Sequence, residues 1–332
     1  MRAVGICGSD IGAFRGTNTL VSYPRIIGHE IAGEIVEISG GDGGLKPGSG
    51  GGLQPSGNGG LKSSGDDGGL KPGDRVIVDP YLYCGKCYPC SLGRTNCCED
   101  LKVLGVHVDG GMSEFMVHPS NMLTRLPDSI EWENAPLAEP VTIALHAIHR
   151  TRLKAGEHIA INGAGAIGLL AALCAMSYKA IPIIVDVVQE RLDYARNLGV
   201  GYTVNLLRED LLGVIGEITN GRMAEVVAEA SGSNQAIRNT LDMASYAGRI
   251  ALTGWPSKET PLPTDMITKK ELDIMGARTS AGEFEEAVGL MTSGEFAAQA
   301  VLSKVIGFDE IPGMVKELSD HPDRYLKINA LL

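Results

Sequence analysis

Basic residues are the scarce charge in this sequence. There are 29 Lys and Arg against 40 Asp and Glu, a formal net charge of −11 over 332 residues. A surface of that sign is repelled by phosphate backbones and anionic headgroups, which argues against nucleic acid or a membrane surface as the main partner. Long apolar runs are missing too, and none reaches the roughly 18 residues that a spanning helix needs. No charged stub with an apolar stretch behind it opens the sequence, so no secretory leader is expected and the chain reads as cytoplasmic. Thiols in that compartment stay reduced, and disulfides are rare. Hydrophobic residues make up 44% and charged residues 21%, which places the chain among ordinary globular proteins, long enough for two domains.

Cysteine is sparse outside one place. Five of the seven lie in CGKCYPCSLGRTNCCE, residues 84–99. Cys84, Cys87, Cys90 and Cys98 are separated by two, two and seven residues, a spacing that lets a tight loop carry four thiolates to the corners of a tetrahedron around Zn²⁺. Cys97 is left over. A redox pair would sit in a βαβ pattern, which does not surround this segment. Clustered accessible thiols without a metal would invite oxidation. Four thiolates leave zinc no open position, so this metal is structural and the chemistry lies elsewhere.

A nucleotide signal follows downstream. HIAINGAGAIG at 158–168 runs an apolar strand into Gly163, Gly165 and Gly168, and LLAALCAM continues as a helix. The first glycine allows a tight turn, the second lets a pyrophosphate approach the backbone at the helix N-terminus, and the third lets helix and strand pack closely. The next strand, IPIIVD, ends at Asp186, whose carboxylate can accept hydrogen bonds from the adenosine ribose of NAD and would repel the 2′-phosphate of NADP. Further strands are predicted at 201–206, 225–231, 249–254 and 273–277, mostly separated by helices. The alternation predicts a doubly wound parallel sheet of about six strands.

The N-terminal part is rich in Gly and Pro and reads as irregular β structure. It contains VGICGSD with Cys7, IIGHEIAGEIVEI with His29 and Glu30, and later APLAEPVTIALHA with Glu139. Each alone has a bland reading: a buried small thiol, a surface His–Glu pair, an acidic helix start. Together with the cysteine loop and the glycine turn, in this order, the chain resembles the zinc-dependent medium-chain dehydrogenase/reductase family. The motifs YPRIIGHE, GRTNCCE and GVHVDGGMSEF are similar to those of its polyol and sugar-acid branch, such as sorbitol and L-galactonate 5-dehydrogenases.

The resemblance implies an α/β fold: a Rossmann sheet plus a GroES-like β-barrel catalytic domain, N-terminally shortened. It implies a catalytic domain over 1–143, holding a zinc lobe at 80–100 and a low-complexity loop at 39–73. A Rossmann NAD-binding domain over 144–280 and a return segment over 281–332 would complete the chain. It further implies a catalytic zinc on Cys7 and His29, completed by Glu30 or Glu139. The structural zinc would lie on the four clustered cysteines, and NAD on Gly163, Gly165, Gly168, Asp186 and Arg191. Ser9 would receive the alcohol proton. The expected reaction is NAD-linked oxidation of a secondary alcohol, a polyol or a sugar acid such as L-galactonate, by a homo-oligomer (dimer or tetramer). Zinc with an open position lowers the pKa of bound water from about 16 to roughly 7 and acts on a hydroxyl likewise; hydride leaves readily only from an alkoxide. Arg278, after the last predicted strand, is a candidate cation for a substrate carboxylate.

Three departures stand beside the resemblance. The sequence begins almost at Cys7, where family members carry further strands, so an unpaired sheet edge is expected. GGLKPG occurs at 43–48 and again at 68–73, with GGLQPSG and GGLKSSG between, which reads as a tandem expansion in a flexible surface loop. Gly12 stands where the family often has a proton-relay histidine. The alternative expectation is therefore an impaired family member that binds zinc and NAD without efficient turnover.

Overall fold

Short runs of β-branched and small residues, AVGI, EIAGE and RVIV, form the first strands, and nearly all of their side chains are buried. The computed structural model describes residues 1–39 and 69–332; most of the low-complexity segment lies outside the described residues. It divides into two units, Met1–Pro136 with Lys304–Leu332, and Leu137–Ser303.

In chain order, the first unit has β1 (Ala3–Ile6), α1 (Gly8–Phe14), β2 (Glu30–Glu34), β3 (Arg75–Val78), β4 (Tyr81–Leu82), α2 (Tyr88–Ser91), β5 (Lys102–Val103) and β6 (Leu123–Arg125). The second has α3 (Ala138–Thr151), β7 (His158–Asn162), α4 (Ala166–Ser177), β8 (Ile181–Asp186), α5 (Gln189–Asn197), β9 (Tyr202–Asn205) and α6 (Leu211–Ile218). It continues through β10 (Ala224–Glu229), α7 (Asn234–Met243), β11 (Ala244–Leu252), α8 (Thr264–Lys270), β12 (Asp273–Gly276) and α9 (Phe284–Thr292). The return brings β13 (Leu302–Gly307), α10 (Ile311–Asp320) and β14 (Lys327–Leu331).

The first unit's main sheet has the order β13-β14-β1-β2-β3-β6. β1 lies between β14 and β2, antiparallel to both, so Gly5 faces Glu30 on one side and Asn329 on the other. Val4, Ile6, Ile31, Val78, Ile328 and Ala330 form its core with Ile311, Met314 and Val315 of α10. Residues from the two ends of the chain thus share one core, and the strand pairing carries Lys327 to the side of β2.

The second unit's sheet runs β12-β11-β10-β7-β8-β9, with every pair of neighbours parallel. Six parallel strands match the sequence expectation. Helices cover such a sheet on both faces, so its central strands β7, β8 and β10 are almost wholly buried. α4 is apolar on all sides, and Gly168 to Ala175 are buried. The predicted segment 144–280 lies inside this unit, which extends to Leu137 and Ser303 because α3 packs on α4 and on α9. β11 begins at Ala244 rather than Arg249: α7 runs straight into it, and Ala244 pairs with Ala224 ahead of a bulge. Among the described residues, no helix is long and apolar enough to cross a membrane.

A partly buried polar cluster joins α3 to α9. His146 and His149 lie one turn apart, and their Nδ1 atoms are 2.7 and 3.2 Å from Glu283 Oε1. His149 Nε2 is 2.9 Å from the Tyr178 hydroxyl and 3.2 Å from Glu286 Oε2. Hydrogen bonds to Glu283 and Glu286 raise His149 to about 9. Burial would raise Glu283, but its bonds to the two histidines outweigh that and bring it to about 2. Raised in the folded state, His149 contributes stability in full below its unfolded value near 6.5 and loses it as pH rises toward 9. Glu283 contributes above its unfolded value near 4.5 and loses that as pH falls toward 2. The expected result is that His149→Gln lowers the thermal midpoint at pH 6 and has little effect above pH 9. Melting curves of both proteins across that range check it; a pH-independent difference would contradict it.

Candidate active site and metal centres

The turn from β1 into α1 places Cys7 at the helix N-cap. Asp10, at the third helical position, accepts the Cys7 N–H at 2.8 Å through one oxygen and the Gly28 N–H at 3.1 Å through the other. That carboxylate is 1% exposed, so it ties two otherwise separate segments together in the interior. Burial pushes Asp10 above the usual carboxylate range, against the pull of His29 beside it. Gly28 has φ +98, and a Cβ there would lie 2.9 Å from the Met112 side chain; glycine is required. The next two residues are His29 and Glu30. His29 Nδ1 is 3.8 Å from Asp10 Oδ1, beyond hydrogen-bond range but close enough for the two charges to feel each other when the ring is protonated.

Cys7, His29 and Glu30 bring one sulfur, one nitrogen and one oxygen within 4.8 Å of one another. Glu30 folds over Gly5, where a Cβ would come within 1.9 Å of its Oε2. Its Oε1 accepts from Lys327, and its Oε2 is buried with no hydrogen-bond partner among the described residues. An orphaned carboxylate oxygen beside a thiol and an imidazole is a donor set that fits zinc. Ser9 Oγ is also buried without a hydrogen-bond partner among the described residues. Gly12, on α1, offers no side chain. Glu139 is the second residue of α3, in the other unit, and is buried. Of the two glutamates that the sequence left open, Glu30 is the one grouped with Cys7 and His29 within a single unit.

The cysteine lobe is built on β4, α2 and β5. Cys87 caps α2 and Cys90 lies on it; Cys84 follows β4, and Cys98 follows a short 3-10 turn. The four sulfurs lie within 4.8 Å of one another, and Cys97 stands outside the group. Cys98 Sγ accepts N–H groups from Cys84 at 3.2 Å and Asp100 at 3.4 Å. Hydrogen bonds from the N–H of Lys86 and of Cys87 lower Cys84 to about 6, whereas burial and its thiol neighbours push Cys90 up to about 12. Four thiolates this close repel one another, and a divalent cation resolves that conflict.

In the second unit, Gly163 follows β7 with φ +100. A Cβ on Gly168 would lie 1.8 Å from Gly163 O, so strand and helix meet only because that residue is glycine. Gly165 is the N-cap of α4, and a Cβ there would meet nothing within 4 Å. The helix N-terminus therefore opens onto free space, as a pyrophosphate cradle must. Asp186 ends β8, and its carboxylate accepts N–H bonds from Ala164 (2.6 Å), Val187 (2.7 Å) and Val188 (2.9 Å). A carboxylate offers about four lone-pair positions, so one remains for a ribose hydroxyl. Arg191 is half-buried in the first turn of α5, and Arg278 is half-buried just beyond β12.

Sequence reading missed Asp10, Gly5 and Lys327 as parts of this site. Asp10 had a local signal: an acid three residues after a helix N-cap has capping-box spacing. Gly5 and Lys327 had none, since strand register alone brings them to Glu30.

Comparisons with known proteins identify the family. Residues 1–128 match the alcohol dehydrogenase GroES-like domain, and residues 166–293 match the zinc-binding dehydrogenase domain. The chain is 57% identical over 331 residues to a zinc-type alcohol dehydrogenase-like protein of Haemophilus influenzae, covering 100% of this chain and 90% of that one. It is 34% identical over 305 residues to the L-galactonate-5-dehydrogenase of Escherichia coli K12, covering 91% and 82%. The crystal structure of the short chain alcohol dehydrogenase RspB of Escherichia coli CFT073, complexed with NADH, superposes with a TM-score of 0.85 at 29% identity, covering 100% of this chain and 90% of that one.

Proposed function

The chain belongs to the zinc-dependent medium-chain alcohol dehydrogenase family, and from that premise we propose that it oxidises a secondary hydroxyl of a polyol or sugar acid with NAD. The observation that carries this reading is the Cys7–His29–Glu30 group with its unclaimed carboxylate oxygen. Cys7, His29 and Glu30 would hold a zinc, which would supply a Lewis acid able to make a substrate hydroxyl acidic near neutral pH. NAD held on the glycine turn supplies the hydride acceptor.

The chain's own residues do the rest. Asp10 fixes Cys7 and His29 in one geometry through the two backbone N–H groups that it accepts. Lys327 offsets the charge of Glu30, which burial alone would disfavour. Ser9 Oγ, which has no hydrogen-bond partner among the described residues, would take the hydroxyl proton. Gly12 provides no onward acceptor, so the proton would leave Ser9 through water or the nicotinamide ribose. Cys84, Cys87, Cys90 and Cys98 would hold a second, structural zinc. An L-galactonate-like aldonate is the proposed substrate, supported by the likeness to the L-galactonate-5-dehydrogenase. A panel of polyols and aldonates with the purified chain, read as NADH formation, tests it. Activity confined to simple primary alcohols would contradict the substrate assignment.

Asp186 sets the coenzyme preference. Its charge repels a 2′-phosphate, and its remaining lone pair serves the ribose. Asp186→Ala is expected to weaken NADH binding by roughly tenfold or more and to narrow the gap between NAD and NADP. Fluorescence titration of both reduced coenzymes measures this; equal affinity for both in the unmodified chain would contradict the role given to Asp186.

A further inference from the structure

One buried carboxylate in the nucleotide-binding unit has no part in the chemistry described so far. Glu229 ends β10 and is 0% exposed. No cation pairs with it among the described residues. Its Oε1 accepts the Ser231 N–H at 2.8 Å, the Ser231 hydroxyl at 2.5 Å and the Gly232 N–H at 3.0 Å. Its backbone carbonyl accepts the N–H of Thr253 at 3.0 Å and of Gly254 at 3.1 Å. A Cβ on Gly254 would lie 2.3 Å from the Gly232 nitrogen and 2.5 Å from Glu229 Oε2. One residue thus holds the turn that leaves β10 and the turn that leaves β11, and packs them against each other. The first turn also reaches the glycine turn: a Cβ on Gly163 would be 3.2 Å from Ser231 Cβ.

The position in the sheet gives this cluster a purpose. Strand order reverses at β7 and β10, and in doubly wound sheets ligands bind beyond the strand C-termini at that reversal. Asp186 ends β8, on one side of β7, and β10 and β11 lie on the other. A dinucleotide with its adenosine ribose at Asp186 and its pyrophosphate at the N-terminus of α4 continues over the ends of β10 and β11. Those ends are the turns that Glu229 holds. We propose that Glu229 is a positioning residue for the nicotinamide half of the coenzyme, fixing the Ser231–Gly232 and Thr253–Gly254 turns as its cradle. The inference rests on the coenzyme reading above. A buried carboxylate suits this role because it accepts several N–H and O–H donors at once, where an amide would turn one donor against another.

The test compares two ligands on one protein. NADH carries the nicotinamide; ADP-ribose carries everything up to the second ribose. Glu229→Gln keeps the shape of the side chain and is expected to weaken NADH by roughly tenfold while leaving ADP-ribose within about twofold, by calorimetry on the zinc-loaded chain. Ser231→Ala removes one donor at the rim and is expected to shift the NADH to ADP-ribose ratio the same way by a smaller factor, which keeps the test open if Glu229→Gln folds poorly. A lowered melting temperature with both affinities unchanged would make Glu229 merely structural and overturn the inference. An equal loss for both ligands would overturn the assignment to the nicotinamide half. Failure of the unmodified chain to bind either ligand would instead overturn the coenzyme reading, and this inference with it.

Discussion

Replacing His29 with alanine is expected to lower kcat/KM for alcohol oxidation by at least about a thousandfold, roughly 4 kcal/mol of transition-state stabilisation. Cys7, His29 and Glu30 supply the candidate ligands of the first unit, and Glu30 shares its carboxylate with Lys327. Without the imidazole, a thiol and a half-engaged carboxylate remain, which is too little to hold a metal with an open position. Asp10 keeps its bonds to the Cys7 and Gly28 N–H groups, so the local backbone stays in place. The expected pattern is therefore specific: activity lost, zinc content reduced from two to one per chain, NADH affinity unchanged, and the melting temperature nearly so. Activity within tenfold of the unmodified chain would remove His29 from the chemistry.

Cys87→Ser is expected to produce the opposite pattern, a large loss of stability. Structural zinc contributes apparent binding free energies of roughly 10 kcal/mol or more, comparable with the whole stability of a domain. The lobe has little else to hold it. Its core is Tyr81, Cys98 and Leu101, with partly buried Tyr83 and Val103 and the other cysteine ligands around them. A serine hydroxyl is a poor ligand beside three thiolates, so the lobe should lose its metal and unfold locally. Calorimetric melting with zinc counting measures it. Cys97→Ser, one residue from a ligand but outside the cluster, should stay within about 0.5 kcal/mol of the unmodified chain. Equal behaviour of the two serine variants would contradict the four-cysteine assignment.

What the sequence made legible was local. The four clustered cysteines fall within fifteen residues, and spacing alone suggested their grouping. Gly163 and Gly165 lie in the turn from β7 to α4, Gly168 in α4 and Asp186 at the end of β8, so a strand–helix–strand pattern was enough to bring them to one end of the sheet. The six-stranded parallel sheet followed from the alternation of apolar runs. What stayed hidden depends on pairing across the chain. Lys327 meets Glu30 across 297 residues only because β14 and β2 flank β1. The sequence could not choose between Glu30 and Glu139, since both follow motifs of equal local quality. Glu229 fell inside a predicted strand, 225–231, with no signal of its own; only the structure ends β10 there and brings the turns after β10 and β11 to it. The early start of β11 was missed because ASYAG lacks the β-branched run that marks a strand, and the ladder there is held by neighbours rather than by propensity.

The most direct test of the central claim is NADH formation by the zinc-loaded chain on a panel of polyols and aldonates, measured beside the same protein stripped of metal and then given zinc back. The account predicts oxidation of a secondary alcohol by the loaded protein, none by the stripped protein, and recovery on adding zinc. Unchanged activity after complete metal removal, or a protein that binds both zinc and NADH yet oxidises no member of the panel, would contradict it.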